Sequence, residues 1–256
     1  MASEWAAILP REQSGTAPVW RPGPLDPQLG PGALHVWRVD LDVVGDGVAE
    51  SLDDAERERA ERIVSPRRSE LWSRSRGALR TLLGRYLRVD PSAIELTVGK
   101  HGKPRLRASH RPAPAFNLSH SASLALFAFV ADGEVGVDLE VACAAHERGP
   151  DGARLSLARR RFGADAAQRL AQLDRAPRER EFLRLWVRDE AERKWRGGGI
   201  GAGDTAAADP LPAGNRATVG RSDAGPWVAD LDFGPRASAA LALGSRASEL
   251  LRWEWS

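Results

Sequence analysis

Between Leu71 and Leu87 the apolar side chains recur at spacings of three and four: Leu71, Trp72, Ala78, Leu79, Leu82, Leu83, Tyr86 and Leu87, with Ser75 in the same stripe. That period predicts an amphipathic helix whose stripe faces the core. Ser65-Pro66 supplies an N-cap followed by proline at the first helical position. Upstream, Trp37 to Val43 alternates apolar and polar residues, as a half-buried strand does. Ser51, with Asp54 three residues on, resembles a capping box and predicts a charged helix to about Ile63. Downstream, Phe116–Leu118 and Leu124–Val130 read as strands, and Asp132-Gly133 as a hairpin turn into a strand over Val135–Glu140. Helical patterns cover Leu155–Leu173 and Pro177–Trp195, and glycines at 197–199 and 201 end the second. A small-residue stretch to about Asn215 predicts a mobile loop, and strands are expected near Trp227–Phe233, Ala237–Leu243 and Leu250–Trp255.

Residues 1–32 carry Pro22, Pro24, Pro27 and Pro31 among glycines, which breaks either period and predicts a disordered or loosely packed extension. The remainder divides into an N-terminal half, 33–133, and a C-terminal half, 134–256. Each half has helical matter followed by strands, and Ser123-Leu124-Ala125-Leu126 resembles Ser238-Ala239-Ala240-Leu241. The expected fold is therefore α+β, with two similar halves related by an internal duplication.

Composition narrows the function. The chain has 256 residues, and 37 basic against 35 acidic side chains leave a net charge of +2, which gives no footprint for nucleic acid. Cys143 is the sole cysteine, which rules out an internal disulfide and suits a reducing cytoplasm. The longest apolar run, Leu124–Ala131, is too short to span a bilayer, and no signal-peptide pattern opens the chain. Only Lys100, Lys103 and Lys194 are lysines, and each lies beside a cluster of polar groups.

On the strand Val135–Glu140, alternation turns Val135, Val137 and Leu139 to the core and Gly136, Asp138 and Glu140 to the other face. Two carboxylates there are either a solvated face or hard oxygen ligands for a cation such as magnesium. Trp186, Glu190 and Lys194, four apart, share one helix face, as an ordinary surface pair or as a carboxylate and an ammonium beside a phosphate. Gly99 to Pro104 is a basic turn or a phosphate loop built on Lys100 and Lys103. Phe116-Asn117-Leu118-Ser119-His120-Ser121 concentrates polar side chains next to an apolar strand.

In this order, Gly102-Lys103-Pro104, Phe116 to Ser121, Val135 to Glu140 and Trp186-x3-Glu190-Ala191-x2-Lys194 resemble the 4'-phosphopantetheinyl transferases of the two-domain surfactin type. The likeness runs from about Leu34 to Trp255. It implies two α+β halves with the active site between them. It also implies that Asp138, Glu140 and Glu190 hold Mg2+ against the pyrophosphate of coenzyme A. Lys103, Ser119 and His120 would contact the nucleotide end, with His120 near the 3'-phosphate and Pro104 against the adenine. Lys100, Asn117 and Arg67 join the same coenzyme A set. Glu190 would be the base toward a carrier-protein serine, and Lys194 would neutralise the pyrophosphate as 3',5'-adenosine bisphosphate leaves. The partners implied are coenzyme A and apo acyl or peptidyl carrier proteins of secondary-metabolite assembly, served by a cytoplasmic monomer.

The chain departs from the family pattern at Asp189, where lysine is usual, and at Glu192 and Arg193, where aromatic or aliphatic residues are usual. Two other readings follow. One is a homologue that binds coenzyme A or carrier protein with weakened catalysis. The other is a metal-dependent nuclease, disfavoured by the helical spacing of Glu190 and Lys194 and by the near-neutral charge.

Overall fold

The computed structural model describes residues 20–99, 103–142, 151–197, 225–233, 237–244 and 247–255. Lys100, His101 and Gly102, the first 19 residues and the proposed loop to Asn215 lie outside them.

Four layers stack as helix, sheet, sheet, helix. The first sheet contains β1 (Arg21–Pro22), β2 (Ala33–Asp40), β5 (Ala115–Ser121), β6 (Leu124–Val130) and β10 (Glu249–Glu254), in the order β1-β10-β2-β6-β5. β10 runs parallel to both β1 and β2, with Leu250 opposite Leu34, while β6 runs antiparallel to both β2 and β5. A small hairpin joins β3 (Leu96–Val98) to β4 (Pro104–Leu106). The second sheet holds β7 (Val135–Val141), β8 (Trp227–Leu231) and β9 (Ala237–Leu243), antiparallel in the order β7-β9-β8. This is the α+β arrangement the hydrophobic pattern predicts.

The helices follow from local sequence. α1 (Asp54–Glu61) starts at Asp53, not Ser51: the Asp53 carboxylate accepts from Glu56 N–H at 2.9 Å and Glu56 accepts from Asp53 N–H at 3.2 Å. Ser51 instead closes a 3-10 turn over Asp46–Ser51. The expected Ser65-Pro66 start and Leu87 end delimit α2 (Pro66–Leu87), whose last carbonyls are capped by Arg88 in the left-handed region. The predicted helical region to Leu173 is two helices, α3 (Asp151–Phe162) and α4 (Ala164–Ala171), because Gly163 adopts φ +89° between them. α5 runs Arg175–Trp195.

Packing explains the layers. The stripe of α2 covers one face of the first sheet, where Ala78, Leu79, Leu82 and Leu83 meet Trp37, Val39, Phe127 and Phe129. Leu34, Val36, Leu126 and Ala128, on the other face, pack against Val135, Val137, Leu139 and Leu241 between the sheets. On the outer face of the second sheet Ala240 and Ala242 receive Val187 and Ala191 of α5. Small residues let that helix approach, and Gly136 takes the closest contact. A Cβ there would lie 2.0 Å from Ala191 O and 2.5 Å from Trp195 N.

Two expectations change. Residues 20–32 are joined to the fold: β1 pairs with β10, Trp20 stacks edge-on against Phe233 at 5.2 Å, and Gly23 lies against the Trp37 ring. The Asp132-Gly133 turn is present, with Gly133 at φ +83°, but it passes from one sheet to the other and does not close a hairpin.

Beneath α2, Trp37 Nε1 donates to Tyr86 Oη at 2.8 Å, and the phenol shares a second hydrogen bond with His35 Nδ1 at 2.8 Å. His35 is buried, and desolvation brings its pKa down from 6.5 to about 4. The neutral ring is thus the folded form. Stability from this site is complete above about pH 6.5 and is lost as pH falls through about 4, because the unfolded chain takes the proton first. Denaturant titrations at pH 7 and pH 4.5 should differ by about 2 kcal/mol from this group, a difference absent in His35→Gln. A second expectation concerns Gly136→Ala. The new methyl meets backbone atoms that cannot rotate away, so chemical denaturation should show a loss of about 1–3 kcal/mol.

Candidate active site

β5 and β7 share no backbone ladder; the odd-numbered side chains of β5 bridge them. Asn117 Oδ1 accepts from Val137 N–H at 2.9 Å, and Ser121 Oγ accepts from Val141 N–H at 3.1 Å. Ser119 donates to Asp138 Oδ1 at 2.8 Å and Ser121 to Glu140 Oε2 at 2.9 Å. The polar run of the sequence is therefore a seam between the sheets, and it orients both carboxylates of β7.

From the opposite side α5 delivers Lys194, whose ammonium reaches Asp138 Oδ1 at 2.7 Å and Leu118 O at 3.4 Å. Asp138 is 5% exposed, so the solvated-face reading does not hold for it. Glu190, 4% exposed, is hydrogen-bonded by Arg161 Nη2 of α3. Burial raises the Glu190 pKa; Arg161 and Lys194 oppose that rise, while Asp138 and Asp189 add to it. Asp138, Glu190 and Lys194 are thus gathered, with Glu140 two residues along the same strand face.

The fit to a hard divalent cation rests on these donors. Asp138 Oδ2 is buried without a hydrogen-bond partner, a costly state for a carboxylate oxygen. Glu140 and Glu190 add oxygen donors, as magnesium prefers. Among the described residues no three His, Cys, Asp or Glu side chains already form a ready cluster. Glu190 would have to turn from Arg161 to join Asp138 on a cation.

The nucleotide set is dispersed differently from expectation. Lys103, well buried, donates to Glu134 Oε2 at 2.9 Å, Val135 O at 3.2 Å and Lys194 O at 3.0 Å, which ties β4 to β7 and to the end of α5. Burial lowers its pKa, with the Glu134 bond opposing. Pro104 is buried at the start of β4, opposite Val98. Asn117 is 3% exposed and committed to β7. Arg67 faces Asp42 and, at 2.8 Å, Glu70. His120 is open to solvent, yet the protein crowded around its ring, and then Lys194, Arg76 and Arg68, hold its pKa below the ordinary histidine value. The cations whose charge bears on His120 are Lys194 and, from α2, Arg76 and Arg68, while Arg67 is engaged by Asp42 and Glu70.

Sequence reasoning gave no role to Arg68, Arg76, Glu134 or Arg161. One signal for Arg161 existed: Asp189 beside Glu190 demands a cation, and arginines crowd the end of α3 at 159–161. Asp189 indeed accepts from Arg161 Nε at 2.5 Å and from Arg193 Nε at 3.1 Å, while Glu192 pairs with Arg196 at 2.6 Å. The extra carboxylate leaves the pairing of Lys194 with Asp138 intact.

No protein-family model matches the chain. It is 36% identical over 152 residues to slr0495 of Synechocystis sp., a protein provisionally named a 4'-phosphopantetheinyl transferase; the match covers 59% of this chain and 59% of that relative. It is 33% identical over 185 residues to the 4'-phosphopantetheinyl transferase HetI of Nostoc sp., covering 71% of this chain and 76% of HetI. At that identity and coverage the chain belongs to the 4'-phosphopantetheinyl transferases.

Proposed function

We propose that the protein transfers the 4'-phosphopantetheinyl group of coenzyme A to a serine of an apo carrier protein. The observation that carries this reading is the buried Asp138 with one free carboxylate oxygen, flanked by Lys194 and Glu190. The serine oxygen attacks the β-phosphorus of coenzyme A, and the bond from that phosphorus to the bridging oxygen breaks. The leaving group is 3',5'-adenosine bisphosphate. Glu190, its pKa raised by burial, receives the serine proton directly or through water. The Lys194 ammonium lies where it can offset charge growing on the pyrophosphate. Asp138, Glu140 and Glu190 would hold Mg2+, which when bound supplies further charge to the same oxygens. His120, with Arg68 and Arg76 nearby, offers the cationic surface suited to a 3'-phosphate.

The proposed duplication gains support from topology. β2-β6-β5 and β7-β9-β8 each place an initial strand beside the second strand of a later hairpin, with helices between them in the chain. α2 and α5 cover the outer faces of the two sheets. Among the described residues no helix is long and apolar enough to cross a membrane. A cytoplasmic monomer serving acyl or peptidyl carriers completes the reading.

Incubation with coenzyme A, Mg2+ and a panel of apo carrier domains should add the phosphopantetheine mass to at least one carrier by intact-protein mass spectrometry. Glu190→Gln should slow that reaction about 100-fold or more. Unmodified carriers beside a working control transferase would sink the proposal. Coenzyme A binding without turnover would favour the weakened binding homologue.

A further inference from the structure

Glu190 poses an electrostatic problem that Lys194 does not solve. The carboxylate is buried, Asp138 and Asp189 both repel it, and Lys194, four residues on, is turned to Asp138 at 2.7 Å. An unpaired charge in such a place is strongly unfavourable. The cation on it comes from another helix. Arg161, in the last turn of α3, places Nη2 on Glu190 Oε1 and Nε on Asp189 Oδ2 at 2.5 Å, so one guanidinium bridges two consecutive carboxylates of α5. Its planar group lies over the Trp186 ring at 5.2 Å, which restricts its motion. Arg193 also donates to Asp189 Oδ2, at 3.1 Å, so that oxygen stays compensated whichever way Arg161 leans.

We propose that Arg161 is the counter-ion of Glu190 in the metal-free protein, and that Asp189 is the anchor that keeps Arg161 in place when a divalent cation takes Glu190 over. The inference rests on the proposed role of Glu190 as a metal ligand. It gives Asp189 a function: the residue holds a fork whose other prong is released. A guanidinium can do this because its donors are fixed in one plane and serve two acceptors at once, which an ammonium on a flexible stem does less well. The site alternates between two compensated states, and Glu190 is never left buried and alone.

Thermal unfolding of the full chain separates this device from a simple strut between α3 and α5. Arg161→Met and Arg161→Gln should melt about 5 °C below wild type in EDTA. Mg2+, added alone and with coenzyme A, should recover most of that loss, so that the metal-induced shift is larger in these variants than in wild type. The Mg2+ concentration for half the shift should fall several-fold, because no arginine competes for Glu190. Arg161→Lys should keep most of the metal-free stability. In a Glu190→Gln background, Arg161→Met should neither lower the metal-free melting temperature comparably nor alter the response to Mg2+. An equal loss with and without metal, an equal loss in the Glu190→Gln background, or no metal-induced shift in any variant overturns the proposal. None of these readouts needs turnover. A chain with this metal pattern but no carrier modification would sink the transfer reaction alone, and an active enzyme without the pattern would sink only the counter-ion role.

Discussion

β7 pairs with β9 along one edge, while its other edge is buried against β5 with no backbone ladder between them. Its buried N–H groups on that side must still find acceptors. Asn117 and Ser121 supply them, at Val137 and Val141, and Ser119 between them reaches Asp138. This seam does two things at once. It replaces main-chain pairing between the two sheets, and it fixes the carboxylates of β7 relative to the strand that carries His120. The alternation of β5 puts the seam and His120 under one register: odd residues turn to β7, and His120 takes the opposite face, toward the cations of α2. A one-residue slip would exchange those faces.

The seam sets β7, and α5 is then docked on it by absence of bulk. Gly136, Ala240 and Ala242 leave room for the backbone near Ala191 and Trp195. Lys103 closes the arrangement by bonding Val135 O at the start of β7 and Lys194 O near the end of α5. Lysine suits this position because one ammonium has three donors for three acceptors. The consequence is that Lys103 supports the site from behind, through the main chain of the residue whose side chain reaches Asp138. The second sheet is thereby gripped at two places, by β5 of the first sheet and by the start of β4 in the small hairpin.

What the sequence made legible was local. The face of β7 follows from alternation, the shared face of Trp186, Glu190 and Lys194 from spacing by four, and the start of α2 from Ser65-Pro66. Even local signals could point to a near neighbour: Asp53 outcompetes Ser51 as cap because Glu56 stands three residues on and returns the bond. Gly163 looked unremarkable within a helical pattern, yet its positive φ divides α3 from α4. Non-local choices were not legible. Nothing in Glu249–Glu254 says that it joins β2 and β1 in the first sheet, because a short apolar strand fits either sheet equally well. Similarly, in a chain whose cations are nearly all arginine, composition cannot say which one meets Glu190. That depends on how α3 turns at Gly163.

Charge balance links these contacts to the ligand the site would take. Asp138, Asp189 and Glu190 are three buried or half-buried carboxylates, and Lys194, Arg161 and Arg193 are cations bound to them. With its cations already committed to carboxylates, such a cluster has little to draw a pyrophosphate as it stands. A divalent cation would add positive charge and make the same place attractive, while Arg68 near His120 provides positive charge that needs no metal and Arg76 beside it is paired with Glu56 at 3.3 Å. The two ends of the site would therefore differ in kind. The end nearer His120 would owe its charge to the arginines of α2, and the end at Asp138 and Glu190 would become cationic only when a cation is held there. A site built this way would favour pyrophosphate binding together with the metal, because the cation supplies the positive charge that the anion needs there.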